Sequence, residues 1–220
     1  MLHKETITGG TLDLIDRLMA DSLLVKFYLV GGTALALMIG HRISIDIDLF
    51  TDEEFNAAEI AHYLQENYRT DINSISTNSV SGFIEDVKFD LISHRYIHVK
   101  PILIIEGIRM ASLVDIAAMK INAIVGNGTR IKDFLDIYYL LQKMTYSEIL
   151  EAYLKKYPDV NATVAKASLL YYVDIDFTIS ITLIKGALKW KDVEKSIKKA
   201  IKSHEMTTRK LLERYKKYPD

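Results

Sequence analysis

Residues 28–50, YLVGGTALALMIGHRISIDIDLF, decide the fold of this chain. Two glycines, Gly31 and Gly32, separate an apolar stretch that predicts a short strand from one that predicts a compact helix. The segment ISIDIDLF then alternates apolar and polar residues with the period of two that is typical of a half-buried strand. We expect one face of this strand to lie on the core through Ile43, Ile45, Ile47 and Leu49.

The opposite face of the same strand carries two carboxylates, Asp46 and Asp48. Side chains two residues apart on a strand are roughly 6 to 7 Å apart, and two full charges repel there by about 2 to 2.5 kcal/mol at an effective dielectric constant near 20. Full solvation or a raised pKa would relieve this repulsion, but Mg²⁺ relieves it best because it prefers carboxylate oxygens. Two such ions would lie about 3.5 to 4 Å apart, the spacing used for in-line displacement at phosphorus.

The glycine turn predicts an anion site beside these carboxylates. Because Gly31 and Gly32 end a strand and open a helix, free backbone N–H groups and the positive end of the helix dipole face the same opening. Residues without a side chain also allow a phosphate to approach the backbone closely. Thr33 adds a hydroxyl group. A phosphate-binding turn next to a metal pair indicates a nucleoside triphosphate (NTP) substrate.

These residues resemble a known signature. Val30-Gly31-Gly32, thirteen further residues and Asp46-Ile47-Asp48-Leu49 are similar to the motif of the DNA polymerase beta-type nucleotidyltransferase superfamily. Enzymes of that superfamily use a third carboxylate on a nearby strand. The segment VKFDLIS offers Asp90 between apolar neighbours. The resemblance therefore implies that Asp46, Asp48 and Asp90 are catalytic metal ligands.

A narrower resemblance covers residues from about 25 to 200. Four blocks in order, GGTALAL…GHRISIDIDLF, LVDIAAMKINAI, RIKDFLDIYYLL and SLLYYVDIDF, are similar to the AbiEii family, bacterial nucleotidyltransferase toxins of type IV toxin–antitoxin systems, with MenT proteins among their relatives. The resemblance implies an α+β (mixed α/β) fold with a small mixed sheet and a helical C-terminal region. It also implies a magnesium-dependent enzyme, an acceptor that is the 3′ end of tRNA in some relatives, and a cognate antitoxin.

One lysine of the helical half stands inside an apolar stripe. Lys120 shares a predicted helical face with the apolar residues Leu113, Ile116, Ala117, Ile121 and Ile124. A buried ammonium needs a partner, so Lys120 either pairs with a structural carboxylate, extends to the surface, or reaches a bound triphosphate as a corresponding lysine does in the family. Asp133 and Asp136 on the next helix are candidates to orient Lys120 or the substrate. The alternative is structural, with Asp133 at a helix N-terminus and Asp136 paired with Lys132.

Arg42, which precedes the acidic strand, and Ser44, near its start, are further candidates for nucleotide binding. A surface role for the arginine is an almost equal alternative. A second DID sequence, Asp174 to Asp176, repeats the spacing of the first pair. It has no glycine turn before it and lies among predicted helices, so we expect a structural role for it.

The chain is rich in predicted strands first and helices second, which places a division near residue 107. We expect a nucleotidyltransferase core over residues 1–107 and a helical region packed on it over residues 108–220. The sequence contains no cysteine, which excludes disulfides and thiolate metal sites. Neither a secretory signal nor an apolar run long enough for a membrane span is visible, so we expect a cytoplasmic protein without membrane contact.

Charge is distributed unevenly along the chain. The segment from Lys185 to Lys217 holds 12 Lys or Arg and 4 Asp or Glu, whereas the whole chain has a net charge of −1. A solvated helix would explain these lysines, and so would a face that holds a polyanion such as RNA.

Two alternatives to transfer onto RNA remain at this point. The same site can serve a small hydroxylated acceptor such as an aminoglycoside, or the fold can be a non-catalytic module that binds RNA or protein. The basic segment argues against the first alternative. A non-catalytic binding module would gain nothing from three acidic residues that face a polyanion, which argues against the second alternative.

Overall fold

A computed structural model describes the backbone of residues 1–217 and the side chains of residues 1–211, 213 and 214. The chain divides into two compact units. The first contains Met1–Ile116 and Ile181–Gly186, and the second contains Ala117–Ser180 and the residues from Ala187 onward.

The first unit is built on a seven-stranded mixed sheet. Its strands are β1 (Tyr28–Leu29), β2 (Ile47–Thr51), β3 (Thr70–Ser76), β4 (Ser79–Ile84), β5 (Val87–Ser93), β6 (Leu103–Ile105) and β7 (Ile108–Met110). Their order across the sheet is β3-β4-β5-β2-β1-β7-β6. Strand β2 is antiparallel to β1 and parallel to β5, so the predicted mixed sheet is confirmed.

The helices follow the predicted distribution, few before residue 107 and many after it. They are α1 (Gly9–Ala20), α2 (Gly31–Ile39), α3 (Ala57–Asn67), α4 (Leu113–Gly126), α5 (Ile131–Leu140), α6 (Tyr146–Lys156), α7 (Ala162–Leu169) and α8 (Trp190–Lys217). Local chemistry explains their ends. Gly40 ends α2 in the left-handed conformation, and Thr145 with Glu148 forms a capping box at the start of α6. Within residues 1–217, no helix is long and apolar enough to cross a bilayer.

The core side of the sheet is formed by the apolar residues that alternate along its central strands. Ile47 and Leu49 of β2 and Phe89 and Leu91 of β5 are all buried. The residues between them, which include Asp48 and Asp90, are only partly buried. The period of two therefore separates a dry face from a solvent-facing one, as the sequence predicts.

One predicted boundary differs from the structure. Strand β2 begins at Ile47 instead of Ile43, and Ile45 is 60% exposed, so the prediction that Ile45 faces the core is wrong. The backbone N–H groups of Ile43 and Ser44 donate to Thr182 and Thr6 instead of to the main sheet.

Candidate active site

The turn at the start of α2 contacts the acidic strand directly. Gly31 has a φ of +69°, and a Cβ atom on it would lie 2.1 Å from a carboxylate oxygen of Asp48. The backbone N–H of Val30 also donates to the carbonyl oxygen of Asp48 over 2.9 Å. Glycine is therefore required here for two reasons, the left-handed backbone and the space that the Asp48 carboxylate fills.

The second glycine makes room for a guanidinium group. A Cβ on Gly32 would lie 2.3 Å from Nη2 of Arg42 and 3.2 Å from Oγ of Ser44. Arg42 is buried, and its Nη1 donates to the carbonyl oxygen of Ile43 over 3.1 Å and lies 3.4 Å from the Ser44 hydroxyl. The surface alternative for Arg42 is therefore wrong. The guanidinium group therefore lies beside the N-terminal end of α2, next to the turn that the Asp48 carboxylate also contacts.

Thr33 is bonded to the segment just before β2, which carries Asp46. Its hydroxyl donates to the backbone oxygen of Asp46 and lies 3.0 Å from the hydroxyl of Ser44. Thr33 and Ser44 are both buried. The observed role of these two hydroxyl groups is to hold the turn against the acidic segment.

Asp48 and Asp90 are direct neighbours across two parallel strands. Asp48 of β2 is in register with Asp90 of β5, and the core-facing partners beside them are Ile47 with Phe89 and Leu49 with Leu91. Register partners project from the same face of a sheet, so both carboxylates lie on the partly exposed face. The predicted convergence of carboxylates from adjoining strands agrees with this register.

Lys88 is a cation at this acidic face that the sequence interpretation missed. Its Nζ lies 3.3 Å from a carboxylate oxygen of Asp90, and its side chain is 50% exposed. The charge of Asp90 raises the pKa of Lys88 most, and Asp46 and Asp48 raise it further, so all three carboxylates lie within electrostatic range of one ammonium group. Its position could have been predicted from the sequence, because Lys88 is two residues before Asp90 on the same strand and therefore on the same face.

The donor set fits a hard divalent cation, although it is not arranged as a closed site. Among the described side chains, no three of His, Asp or Glu already surround a point that would hold a metal ion. The carboxylates are nevertheless oxygen donors on one partly exposed face, the kind of ligand that Mg²⁺ prefers. Their assignment as metal ligands stays a prediction.

The second unit holds a separate buried cluster around Lys120. The Lys120 ammonium lies 2.7 Å from a carboxylate oxygen of Asp133 and 2.6 Å from one of Asp136, and all three residues are buried. Arg130 pairs with Asp133 over 2.9 Å. Of the alternatives for Lys120, a position at the surface is wrong, because its ammonium is buried beside two carboxylates. The contacts fit a structural pair and also an orienting role for Asp133 and Asp136, and a contact of Lys120 with substrate remains a prediction.

The second DID sequence has the structural role that we expect. The Asp176 carboxylate accepts hydrogen bonds from the N–H and hydroxyl of Thr178, which lower the pKa of Asp176. The Asp176 backbone N–H donates to Thr129 over 2.8 Å. The bonds from Thr178 close a turn, and the bond to Thr129 ties that turn to the segment before α5.

Helix α8 has a basic face opposite its apolar face. Val193, Ile197 and Ile201 repeat at intervals of four residues and are buried, and α8 packs against α5 and α6. On the other side of the helix lie exposed lysines, Lys191, Lys195, Lys198, Lys199 and Lys202. Asp220 and the side chains of Lys216 and Lys217, which belong to the predicted basic tail, lie outside the described residues.

Comparison with known proteins agrees with this geometry. The family model of the "Nucleotidyl transferase AbiEii toxin, Type IV TA system" matches residues 13–172. An uncharacterized protein of Aquifex aeolicus (strain VF5) is 30% identical over 188 residues, which is 81% of this chain and 87% of that protein. A crystal structure of an H. pylori protein named as a nucleotidyltransferase superposes with a TM-score of 0.57 at 19% identity, over 93% of this chain and 98% of the other.

The family model spans most of the chain, and it includes the glycine turn, the three aspartates and the Lys120 cluster. The structural likeness shows that the two chains share a fold. The chain therefore belongs to the AbiEii family of nucleotidyl transferase toxins of type IV toxin–antitoxin systems, and it is a nucleotidyltransferase.

Proposed function

We propose that the protein is a magnesium-dependent enzyme that moves a nucleoside monophosphate from an NTP to a hydroxyl group of RNA, with the 3′ end of tRNA as the expected acceptor. The observation that carries this proposal is the parallel register of Asp48 with Asp90 beside the glycine turn. As a toxin it would act with a cognate antitoxin as its partner.

Each group of the first unit has a task in this reaction. Asp46, Asp48 and Asp90 would hold one or two magnesium ions, which when bound neutralise phosphate charge. The N–H groups of the Gly31–Gly32 turn, with Arg42, hold the triphosphate. Asp90 accepts the proton of the acceptor hydroxyl, whose oxygen then forms a bond to the α-phosphorus. The bond from that phosphorus to the bridging oxygen breaks, and pyrophosphate leaves.

The basic face of α8 supports RNA as the acceptor. Five exposed lysines lie along about three turns of one helix face, and such a row attracts a phosphate backbone without reading its sequence. A small cationic acceptor such as an aminoglycoside has no use for such a row, so the row favours RNA as the acceptor class.

Incubation with magnesium, each α-labelled NTP in turn and total bacterial RNA tests the proposal. We expect label to enter RNA of tRNA size with one NTP preferred. A parallel incubation contains aminoglycosides instead of RNA. Label in the small molecules alone would overturn the RNA acceptor, and no label in any incubation would overturn the transfer reaction itself.

A further inference from the structure

A cavity of about 530 Å³ lies in the second unit, between α8 and the start of α6. Its walls include the apolar residues Leu141, Met144 and Ala200, together with several Ser and Thr hydroxyl groups. This volume is within the range of about 300 to 1,000 Å³ that is typical of small-molecule sites. The cavity can therefore hold a ligand with a compact apolar body.

Tyr146, the first residue of α6, is a buried hydrogen-bonding residue in the wall of this cavity. The residue is only 4% exposed, and among the described residues its hydroxyl has no hydrogen-bond partner. The side chain extends towards α8, because its ring packs edge-on against the ring of His204, another wall residue, with centroids 5.4 Å apart. Since buried hydroxyl groups in proteins almost always have a partner, this one points to a ligand with a hydrogen-bond acceptor.

The Tyr146 hydroxyl is a donor at neutral pH. Burial raises the pKa of Tyr146 to about 12, and the charge of Glu205 contributes to the same shift. The hydroxyl therefore keeps its proton and can donate it to an oxygen of a ligand.

The fixed charge in the cavity wall is positive. Lys199 is the one Lys or Arg among the described lining residues, and none of them is Asp or Glu. Two carboxylates directly adjoin lining residues in the sequence, and both are bonded to other groups, Glu148 to Thr145 and Glu205 to Lys166. The exposed ammonium of Lys199 therefore favours an anionic ligand over a cationic one.

The start of α6 adds to this preference. The Thr145 hydroxyl accepts a hydrogen bond from the N–H of Glu148 over 3.2 Å, whereas the N–H groups of Tyr146 and Ser147 have no partner within the helix. All three residues from Thr145 to Ser147 line the cavity. The positive end of the helix dipole would therefore stabilise a negative group bound there.

We propose that this cavity binds a small organic anion with a compact apolar body. The Tyr146 hydroxyl donates a hydrogen bond to the ligand, the Lys199 ammonium pairs with its charge, and Met144 and Ala200 contact its apolar part. The proposal concerns residues of the second unit alone, so it is independent of the transfer reaction.

Fluorescence titration with two dyes of the same ring system tests the site. The dye 8-anilinonaphthalene-1-sulfonate is an apolar anion, and N-phenyl-1-naphthylamine lacks the sulfonate. We expect Tyr146→Phe to weaken the anionic dye by about three- to tenfold and Lys199→Gln by about two- to fivefold. The neutral dye should bind these variants as it binds wild type. Lys191→Gln, which removes an exposed lysine of α8 outside the cavity, should change neither dye.

The titrations can contradict the proposal in three ways. No measurable binding of the anionic dye by the folded wild-type protein would overturn it. Equal binding of that dye by wild type, Tyr146→Phe and Lys199→Gln would also overturn it. An equal loss of both dyes would do the same, because it would reflect packing instead of charge. Thermal unfolding checks the variants, and Tyr146→Phe should be at least as stable as wild type because it removes an unpaired buried hydroxyl.

A single introduced thiol tests the location of the dye. The chain contains no cysteine, so Ala200→Cys supplies one thiol in the cavity wall, and Lys191→Cys supplies one on the same helix outside it. We expect the anionic dye to slow alkylation of Ala200→Cys by iodoacetamide and to leave alkylation of Lys191→Cys unchanged. Equal alkylation rates of Ala200→Cys with and without dye would show that the dye binds elsewhere and would overturn the site.

Discussion

Gly31 and Asp48 share one small volume: the space that a side chain on Gly31 would occupy is filled by the Asp48 carboxylate. The motif Gly-Gly followed by Asp-x-Asp is therefore a steric unit as well as a chemical one. A change on either side of this contact affects the other.

Gly31→Ala is expected to destabilise the fold and displace the carboxylate. A non-glycine residue in the left-handed region costs about 1 to 2 kcal/mol, and the 2.1 Å approach to Asp48 adds to this cost. Denaturant unfolding measures the loss. Gly10→Ala is the matched control, because Gly10 lies in α1 with nothing within 4 Å of its Cβ position. Equal stability of both variants would contradict the steric account.

Lys88→Gln is expected to strengthen binding of divalent cations. Removing a positive charge 3.3 Å from Asp90 should raise the affinity for Mn²⁺ by about three- to tenfold. Electron paramagnetic resonance of free Mn²⁺ measures this without any reaction. Lys26→Gln removes a similar exposed lysine that pairs with Glu53 and should leave the affinity unchanged. Unchanged or weaker binding by Lys88→Gln would show that the acidic face is not the cation site.

Lys120→Met is expected to lower the free energy of unfolding by about 3 kcal/mol, because it removes the buried ammonium that pairs with two buried carboxylates, of which Asp133 keeps its pair with Arg130. The reason is the pair of contacts from Lys120 to Asp133 and Asp136. Chemical denaturation is the measurement. Lys166→Met breaks only an exposed pair with Glu205 and should cost less than about 1 kcal/mol. Similar losses in both variants would contradict the importance of burial.

The basic face of α8 is tested by salt dependence. Replacing Lys195, Lys199 and Lys202 by Gln should weaken RNA binding and reduce the slope of log K against log salt by about 2, since each phosphate contact contributes about 0.7. Replacing Lys4, Lys26 and Lys166, three exposed lysines paired with glutamates, is the control for total charge. An identical slope in both triple variants would refute a specific role for α8.

Much of the site follows from local patterns in the sequence. Alternation in β2 and β5 is enough to place Asp48 and Asp90 on polar faces, and the glycine pair predicts the turn beside them. Their adjacency depends on the pairing of β2 with β5, which family resemblance supplies and alternation alone does not. The alternation in β5 also places Lys88 on the polar face, but a motif made of carboxylates gives no reason to single out a lysine.

The parts that sequence did not predict depend on distant partners. Ile45 alternates correctly with its neighbours, yet it is exposed because the backbone at Ile43 and Ser44 pairs with Thr182 and Thr6. The buried position of Arg42 depends on the space beside Gly32. The partners of Lys120 were among the candidates, but only coordinates could decide between two carboxylates and a surface position.

Transfer of a labelled nucleotide by Asp48→Asn measures the central claim most directly. This change keeps the size of the side chain and removes the charge next to Gly31 and Asp90. Asp174→Asn is the matched control, because Asp174 belongs to the second DID sequence and is exposed. We predict that Asp48→Asn loses transfer by at least about a thousandfold with unchanged thermal unfolding, while Asp174→Asn retains it. Transfer at the wild-type rate by folded Asp48→Asn would contradict the account.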